Sequence, residues 1–289
     1  MNSFATRYKT ATVKGLDVFY REAGDPSRPT IVLLHGFPTS SHMFRNLMTS
    51  LADEYHLVAP DHIGFGRSAM PAVTDFDYSF DSLTEVTEAL ISHLGLDRFA
   101  LYIQDYGAPI GLRIASRTPE RVTALISQSG NAYLEGFTPF WDVLFAHAKD
   151  RPANEAEVRK YLTAETTRWQ YTHGVPADRL DRIAPETWVL DQAALDRPGN
   201  DAIQLQLFWD YQFNLDGYPG FQKYFRTNQP PLLVTWGKND EIFGVAGAEA
   251  FHRDFPQGEF HLLDAGHFAL ETHGEEISTH IRSFLAKVL

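Results

Sequence analysis

The chain contains no cysteine among its 289 residues. This absence excludes disulfides, thiolate metal sites and a cysteine nucleophile. The sequence also lacks an apolar run long enough to cross a bilayer, and its first residues lack the apolar region of a secretory signal peptide. We therefore expect a cytoplasmic protein that does not associate with membranes.

Positive charge is scarce, with 25 Lys and Arg against 37 Asp and Glu, and the formal net charge is -12. Nucleic-acid binding needs a basic face, and none is visible in the sequence. The composition, 44% hydrophobic and 21% charged, is that of a soluble globular protein. The length allows one large domain, or a core domain with an insertion.

Unbroken apolar runs recur along the chain between polar flanks. Such runs are typical of strands that are buried on both faces of a parallel sheet. They cover Thr30–Leu34, His56–Pro60, Phe99–Ile103, Val122–Ser127, Leu232–Trp236 and Glu259–Leu263.

The segments between these runs carry other structural signals. Thr10–Val13 and Leu16–Tyr20 flank Lys14-Gly15 and predict a hairpin, whereas Leu83–Leu94 and Ile277–Leu289 have the apolar spacing of helices. Strands that alternate with helices indicate the α/β class, with a mostly parallel central sheet flanked by helices.

This alternation is interrupted between residues 131 and 228, where aromatic residues are frequent and the apolar spacing is helical. Strand-like runs resume after Pro230-Pro231. The pattern predicts a core domain made of residues 1–130 and 229–289, with a helical cap domain inserted at 131–228.

Gln104-Asp105-Tyr106-Gly107 stands between a predicted strand and a predicted helix. A sharp strand-to-helix turn is where hydrolases of the α/β type expose a nucleophile. The carboxylate of Asp105 would attack carbon directly and form an alkyl-enzyme ester. The alternative is that Asp105 caps the following helix.

His35-Gly36-Phe37-Pro38 also follows a predicted strand directly. Loops at the carboxyl ends of parallel strands form the ligand crevice of such sheets. The backbone N–H groups of Phe37 and Tyr106 are therefore candidates for an oxyanion hole. The alternative for the first loop is a simple turn.

Two further loops supply an acid and a base. Asp240 follows the predicted strand at 232–236 and would orient an imidazole, with Glu241 as a nearby competitor and Asn239 as a weaker one. His267 follows the last predicted strand and would take a proton from water. Each has a structural alternative, a polar capping loop for Asp240 and an ordinary histidine among twelve for His267. Because nucleophile, acid and histidine occur in the order typical of α/β-hydrolases, the catalytic interpretation is favoured.

At these positions the chain resembles α/β-hydrolase fold enzymes with an aspartate nucleophile, the epoxide hydrolases and the haloalkane dehalogenases. His35-Gly-Phe-Pro38 is similar to the His-Gly-x-Pro motif of epoxide hydrolases. The segments His35–Arg45 and Asp61–Ser68 are similar to dehalogenases. Both groups share the roles that the resemblance gives to Asp105, Asp240 and His267.

The resemblance to dehalogenases is weaker where a halide would bind. That group typically has Asn in place of Phe37 and Trp in place of Tyr106, although Trp141, Trp169 or Trp209 could substitute. Fluoroacetate dehalogenases typically carry arginines where Tyr106 and Pro109 stand.

In epoxide hydrolases, tyrosine hydroxyls from the cap protonate the ring oxygen. Asp210-Tyr211-Gln-Phe-Asn214 resembles the late cap motif of that group, so Tyr211 is our first choice for the acid, and Tyr171 is the second. The cap tyrosines considered are Tyr133, Tyr161, Tyr171, Tyr211, Tyr218 and Tyr224.

We expect an epoxide hydrolase that converts a small apolar epoxide to a vicinal diol without a metal or organic cofactor, as a monomer or homodimer. A haloalkane dehalogenase that uses the same three residues is the first alternative. A hydrolase-like protein that binds a small ligand and turns it over slowly or not at all is the second.

Overall fold

The computed structural model describes residues 5–289. Strands β1 (Arg7–Val13) and β2 (Leu16–Ala23) pair antiparallel. Lys14 and Gly15 both have positive φ in the turn between them, as expected for a tight hairpin whose twist matches the strands. The predicted hairpin is therefore confirmed, with longer strands.

All six apolar runs form strands of the same sheet. The sheet order is β1-β2-β4-β3-β5-β6-β7-β8, and the pairs from β4 onward are parallel. Every residue of β3, β4, β5 and β7 is buried, which explains the absence of apolar–polar alternation. The strands are β3 (Thr30–Leu34), β4 (His56–Pro60), β5 (Phe99–Gln104), β6 (Val122–Gln128), β7 (Leu232–Gly237) and β8 (Glu259–Leu263).

Within residues 5–289, five α-helices accompany these strands, and two separate hydrophobic clusters form the core. The predicted helix at 83–94 is confirmed with an earlier start. The predicted C-terminal helix also begins earlier and is interrupted at His273, where φ is -127°. The helices are α1 (Arg45–Leu51), α2 (Phe80–His93), α3 (Gly107–Arg117), α10 (Val245–Ala250) and α11 (Ala269–Val288).

The other six α-helices of the described part of the chain lie between β6 and β7, and we call residues 131–228 the cap segment. Its helical character is as expected, and its status as a separate domain stays a prediction. None of the helices in the described part of the chain is long and apolar enough to span a membrane. The cap helices are α4 (Asp142–Lys149), α5 (Arg151–Val158), α6 (Ala164–Thr172), α7 (Glu186–Leu195), α8 (Asn200–Asp210) and α9 (Gln212–Asn228).

Candidate active site

Asp105 lies in the turn between β5 and α3, where its backbone has a positive φ of 48°. This conformation is strained for a residue other than glycine, and such residues cluster at active sites. A Cβ on Gly36 would come within 2.2 Å of the Asp105 carboxylate, and one on Gly107 within 2.1 Å of the Leu34 carbonyl oxygen. Glycine at these two positions allows the loop after β3 and the start of α3 to approach the turn closely.

Two backbone N–H groups hold the Asp105 carboxylate. The N–H of Phe37 donates to Oδ1 over 2.6 Å, and the N–H of Tyr106 also hydrogen-bonds the carboxylate. Burial raises the pKa of Asp105, while His267 and the two N–H groups oppose that shift by stabilising the charged form. Both donors named from the sequence thus contact the carboxylate of Asp105.

The loop that carries Phe37 is braced by two buried histidines. His35 Nε2 accepts the backbone N–H of His62 over 3.0 Å, and His62 Nε2 donates to the His35 carbonyl oxygen over 2.9 Å. Burial lowers the pKa of His35 to about 4. A neutral His35 can accept at Nε2 while its Nδ1–H donates to the Gly36 carbonyl oxygen, 2.9 Å away. This network fixes the backbone on either side of Gly36.

His267 and Asp240 follow β8 and β7 and form a buried pair. His267 Nδ1 lies 2.8 Å from Asp240 Oδ2, and Nε2 lies 3.9 Å from Asp105 Oδ2. The other Asp240 oxygen accepts the N–H groups of Ile242 and Phe243 at 2.8 and 3.1 Å. Burial favours the neutral imidazole, but the charges of Asp240 and Asp105 outweigh it and raise the pKa of His267. The imidazole is therefore oriented by one carboxylate and faces the other.

Gln104 is a fully buried neighbour of His267. Its Nε2 lies 2.9 Å from His267 Nε2, and its Oε1 has no hydrogen-bond partner within residues 5–289. When Nδ1–H is directed at Asp240, the neutral ring has a lone pair at Nε2, which the amide N–H of Gln104 can fill. Rotation of the amide would bring Oε1 to the same position and accept Nε2–H from a protonated ring.

Tyr211 lies between α8 and α9, and only 2% of it is exposed. Its ring centroid lies 5.8 Å from that of Tyr106 and 4.3 Å from that of Trp141. Burial raises the pKa of Tyr211 well above its ordinary value, and the charges of Tyr218 and Asp105 add to the shift. The hydroxyl of Tyr211 therefore stays protonated, and it lies close to Asp105. Within residues 5–289 it has no hydrogen bond of ordinary geometry.

Tyr218 lies on α9, and its hydroxyl faces that of Tyr211. It also accepts a hydrogen bond from Asn131 Nδ2 over 3.4 Å. Burial raises the pKa of Tyr218, and the charge of Asp105 acts in the same direction. Tyr218 is thus the second cap tyrosine that lies close to Asp105.

Tyr171, our second choice from the sequence, has a different environment. Its hydroxyl donates to Asp191, and its ring stacks on Phe268 with a centroid separation of 4.0 Å. Its side chain belongs to the same hydrophobic cluster as α1 and α11, whereas Tyr211 and Tyr218 belong to the other cluster. The hydroxyl of Tyr171 is therefore engaged within the cap segment.

Of the three cap tryptophans considered as halide donors, one has its indole N–H engaged by a backbone oxygen and the other two make ring contacts. The indole N–H of Trp141 donates to the Ile242 carbonyl oxygen over 2.8 Å. Trp169 stacks against Phe140 and His173, and Trp209 packs under the guanidinium of Arg151.

Comparison with known proteins identifies the family of the chain. A family model for the alpha/beta hydrolase fold matches residues 29–274. The chain belongs to the α/β-hydrolase fold family. It is 44% identical to an uncharacterized hydrolase of Saccharomyces cerevisiae, over 99% of both chains. It is 29% identical to a haloalkane dehalogenase of Mycolicibacterium paratuberculosis, over 99% of this chain and 94% of that one.

A solved epoxide hydrolase without ligand is similar in fold, with a TM-score of 0.79 over 99% of this chain and 100% of that one, at 19% identity. Such low identity supports the fold alone. The predicted resemblance to the group of epoxide hydrolases and haloalkane dehalogenases is confirmed, and the chain is a hydrolase of this fold.

Two contacts of this α/β-hydrolase were not predicted from the sequence, that of Gln104 with His267 and that of Tyr218 with Tyr211, although Tyr218 was among the cap tyrosines considered. Gln104 directly precedes Asp105 at the end of β5, so its closeness to the site could have been expected. Tyr211 directly precedes α9 with helical backbone angles, and Tyr218 follows it by about two helical turns, a spacing that puts both side chains on the same side. That periodicity was the available signal for the second tyrosine.

One surface group in this α/β-hydrolase has the chemistry of metal ligands. The ligand atoms of Glu259, His261 and His280 lie within 4.8 Å of one another. They lie on the edge strand β8 and on α11, separated from β5 by two strands. The ammonium of Lys287, 3.1 Å from Glu259, already neutralises part of this group.

Proposed function

We propose that the protein is an epoxide hydrolase that acts through a covalent ester on Asp105. The observation that carries the proposal is the arrangement around this carboxylate: a backbone N–H on Oδ1, an imidazole 3.9 Å from Oδ2, and the protonated hydroxyl of Tyr211 nearby. Oδ2 attacks an epoxide carbon, the ring C–O bond breaks, and Tyr211 gives its proton to the departing oxygen. Tyr218, which faces Tyr211, supports that hydroxyl.

The ester is then hydrolysed at its carbonyl carbon. His267 takes a proton from water, Asp240 stabilises the resulting imidazolium, and the N–H groups of Phe37 and Tyr106 stabilise the negative charge on Oδ1. When the ester bond breaks, Oδ2 leaves with the diol and takes the proton from His267. The second water proton restores the Tyr211 hydroxyl, so Asp105 gains one oxygen from water in each turnover.

The site walls favour an apolar substrate. The rings of Phe37, Tyr106 and Phe208 pack together beside Asp105, with centroid separations of 6.0 Å for Phe37–Tyr106 and 5.0 Å for Phe37–Phe208. We assign no step to Tyr171, because its hydroxyl donates to Asp191.

Dehalogenation is the second candidate, and the similarity to the haloalkane dehalogenase of Mycolicibacterium paratuberculosis favours it. The same Asp105 attack would release a halide, which needs hydrogen-bond donors. The use of the Trp141 indole N–H by a backbone oxygen counts against a halide site of that kind.

A substrate panel with one terminal epoxide, one cyclic epoxide and one bromoalkane separates the two. Diol formation without halide release supports the proposal, halide release alone supports the second candidate, and binding without consumption points to a ligand-binding protein.

A single turnover in ¹⁸O-labelled water tests the covalent step. We expect label in the peptide that contains Asp105 and unlabelled diol, whereas label found only in the diol would contradict an ester on Asp105. The Asp105→Asn variant should lose steady turnover, while Asp264→Asn, which removes an exposed carboxylate in the loop before His267, should retain it.

A further inference from the structure

A second cleft of about 610 Å³ lies between α7 of the cap segment and the loops after β3 and β4. Three guanidinium groups line it, Arg21 on β2, Arg67 after β4 and Arg197 between α7 and α8. We call it the arginine cleft. Nothing in the chemistry at Asp105 uses these three side chains.

The three arginines are not neutralised by ion pairs. Among residues 5–289, none of them has a carboxylate oxygen within 4.0 Å. Arg21 instead donates to the neutral Ser41 hydroxyl at 3.1 Å and lies 3.3 Å from His42 Nδ1, and Arg197 donates to backbone carbonyl oxygens. Unpaired arginines at one cleft are unusual in a chain with a net charge of -12, where carboxylates outnumber basic groups.

The acidic groups that line the cleft do not cancel this charge. Asp61 is buried and both of its oxygens accept backbone N–H groups, from Ser41 and Arg67, at 2.8 Å. Burial raises the pKa of Asp191 to about 8, so this carboxyl is mostly protonated at pH 7. Burial likewise lowers the pKa of His42 to about 4, which leaves the imidazole neutral. Three positive charges therefore face one negative charge.

The cleft also has apolar lining that is partly open to solvent. Tyr8 is 64% exposed and Leu190 is 49% exposed. Arg21 lies over the ring of Tyr8 at 5.1 Å and Arg67 over the ring of Phe19 at 5.9 Å. Stacking occupies the face of a guanidinium and leaves its N–H edge able to bind a carboxylate or phosphate.

We propose that the arginine cleft binds a small organic anion, whose carboxylate or phosphate group is held by Arg21, Arg67 and Arg197 and whose short apolar chain lies against Tyr8 and Leu190. The site spans cap and core, since Leu190 belongs to α7 and Arg21 to the sheet. It is independent of the reaction at Asp105.

Isothermal titration calorimetry of the full chain at low salt tests the proposal with hexanoate, hexyl phosphate, inorganic phosphate and hexanol. We expect both hexyl anions to bind, with inorganic phosphate weaker and hexanol giving no measurable binding. The tighter of the two hexyl anions identifies the preferred head group. Equal binding of hexanol and hexanoate would overturn the proposal, as would inorganic phosphate binding as tightly as hexyl phosphate.

Substitution of the arginines locates the site. Arg21→Gln, Arg67→Gln and Arg197→Gln should each weaken hexanoate or hexyl phosphate binding by about tenfold, because each removes a charge-assisted hydrogen bond. Arg28→Gln, at an exposed arginine between β2 and β3, is the control and should bind like the wild type. Arg67 is exposed, so its variant tests the site even if Arg21→Gln does not fold. Wild-type affinity in Arg67→Gln and Arg197→Gln would refute the assignment.

Discussion

The carboxyl ends of the parallel strands, which we call the sheet edge, and the cap segment contribute to the candidate site in different ways. At the sheet edge, Asp105 and His267 each follow a strand within a few residues, and backbone groups or a buried carboxylate fix them. In the cap segment, Tyr211 and Tyr171 are equally buried tyrosines, yet one lies near Asp105 and the other bonds Asp191. Residues that directly follow a strand can thus be located from the sequence. The positions of side chains on packed helices depend on tertiary contacts.

Among the substitutions that distinguish the sheet edge from the cap segment, His267→Gln should have the largest effect on turnover. The variant can still form the ester but lacks the base that activates water, so steady turnover should fall by at least about 10⁴-fold. Intact-protein mass spectrometry should show the variant carrying the mass of one epoxide. A fall in turnover without trapped ester would mean that His267 acts before ester formation.

His252→Gln is the matched control for that experiment. His252 is exposed on the surface and stacks on Phe260 with a ring-centroid separation of 3.6 Å. It has no role in the proposed reaction. It should keep wild-type turnover and accumulate no ester.

Within the cap segment, Tyr211→Phe and Tyr171→Phe form a direct comparison. Loss of the acid in Tyr211→Phe should slow ester formation by about 10²-fold, measured by stopped-flow single turnover. Tyr171→Phe should instead lower the free energy of unfolding by about 1–3 kcal/mol in urea, because Asp191 loses its buried hydrogen-bond donor. If Tyr171→Phe slowed ester formation more than Tyr211→Phe, the roles of the two tyrosines would be reversed.

Gln104 provides a smaller test at the sheet edge. Gln104→Met keeps the length of the side chain but removes the amide, so ester hydrolysis should slow by about tenfold while ester formation is unchanged. Gln104→Glu should raise the pKa of His267 and shift the acidic limb of the pH profile upward, since a carboxylate stabilises the protonated ring. Identical pH profiles for the wild type and Gln104→Glu would exclude a direct effect of residue 104 on His267.

The smallest expected effect is a change in the pKa of His267, which can be measured in the absence of turnover. Asp240 and Asp105 raise the pKa of His267 in the free protein. In the ester only Asp240 still acts in that direction, and ester hydrolysis should decline as the pH falls through the pKa that His267 has in the ester and the base becomes protonated. Formation of the ester removes the charge of Asp105, which lowers this pKa when the neutral base is needed. NMR titration of Asp105→Asn should therefore give a lower pKa for His267 than the wild type, and Asp240→Asn a lower one still. A higher pKa in Asp105→Asn would contradict the electrostatic coupling.

The strands and the turn at Asp105 were predictable because their signals are local. Thr30–Leu34 and Leu232–Trp236 are continuous apolar runs, and each is a strand with a functional loop after it. The positions of Phe37 and Tyr106 follow from the same reasoning, since a backbone donor needs only the right turn. The brace between His35 and His62 was not predictable, because it joins loops after two different strands.

The sequence by itself determined the α/β class, the order of the strands along the chain and the loops that carry Asp105, Asp240 and His267. These features depend on apolar periodicity and on which residues directly follow a strand. Tertiary structure alone decided that Tyr211 lies close to Asp105, that Tyr171 bonds Asp191, and that three arginines line one cleft. Those arrangements depend on how cap helices pack against each other and against the core, and contacts between residues far apart in the chain leave no local pattern in the sequence.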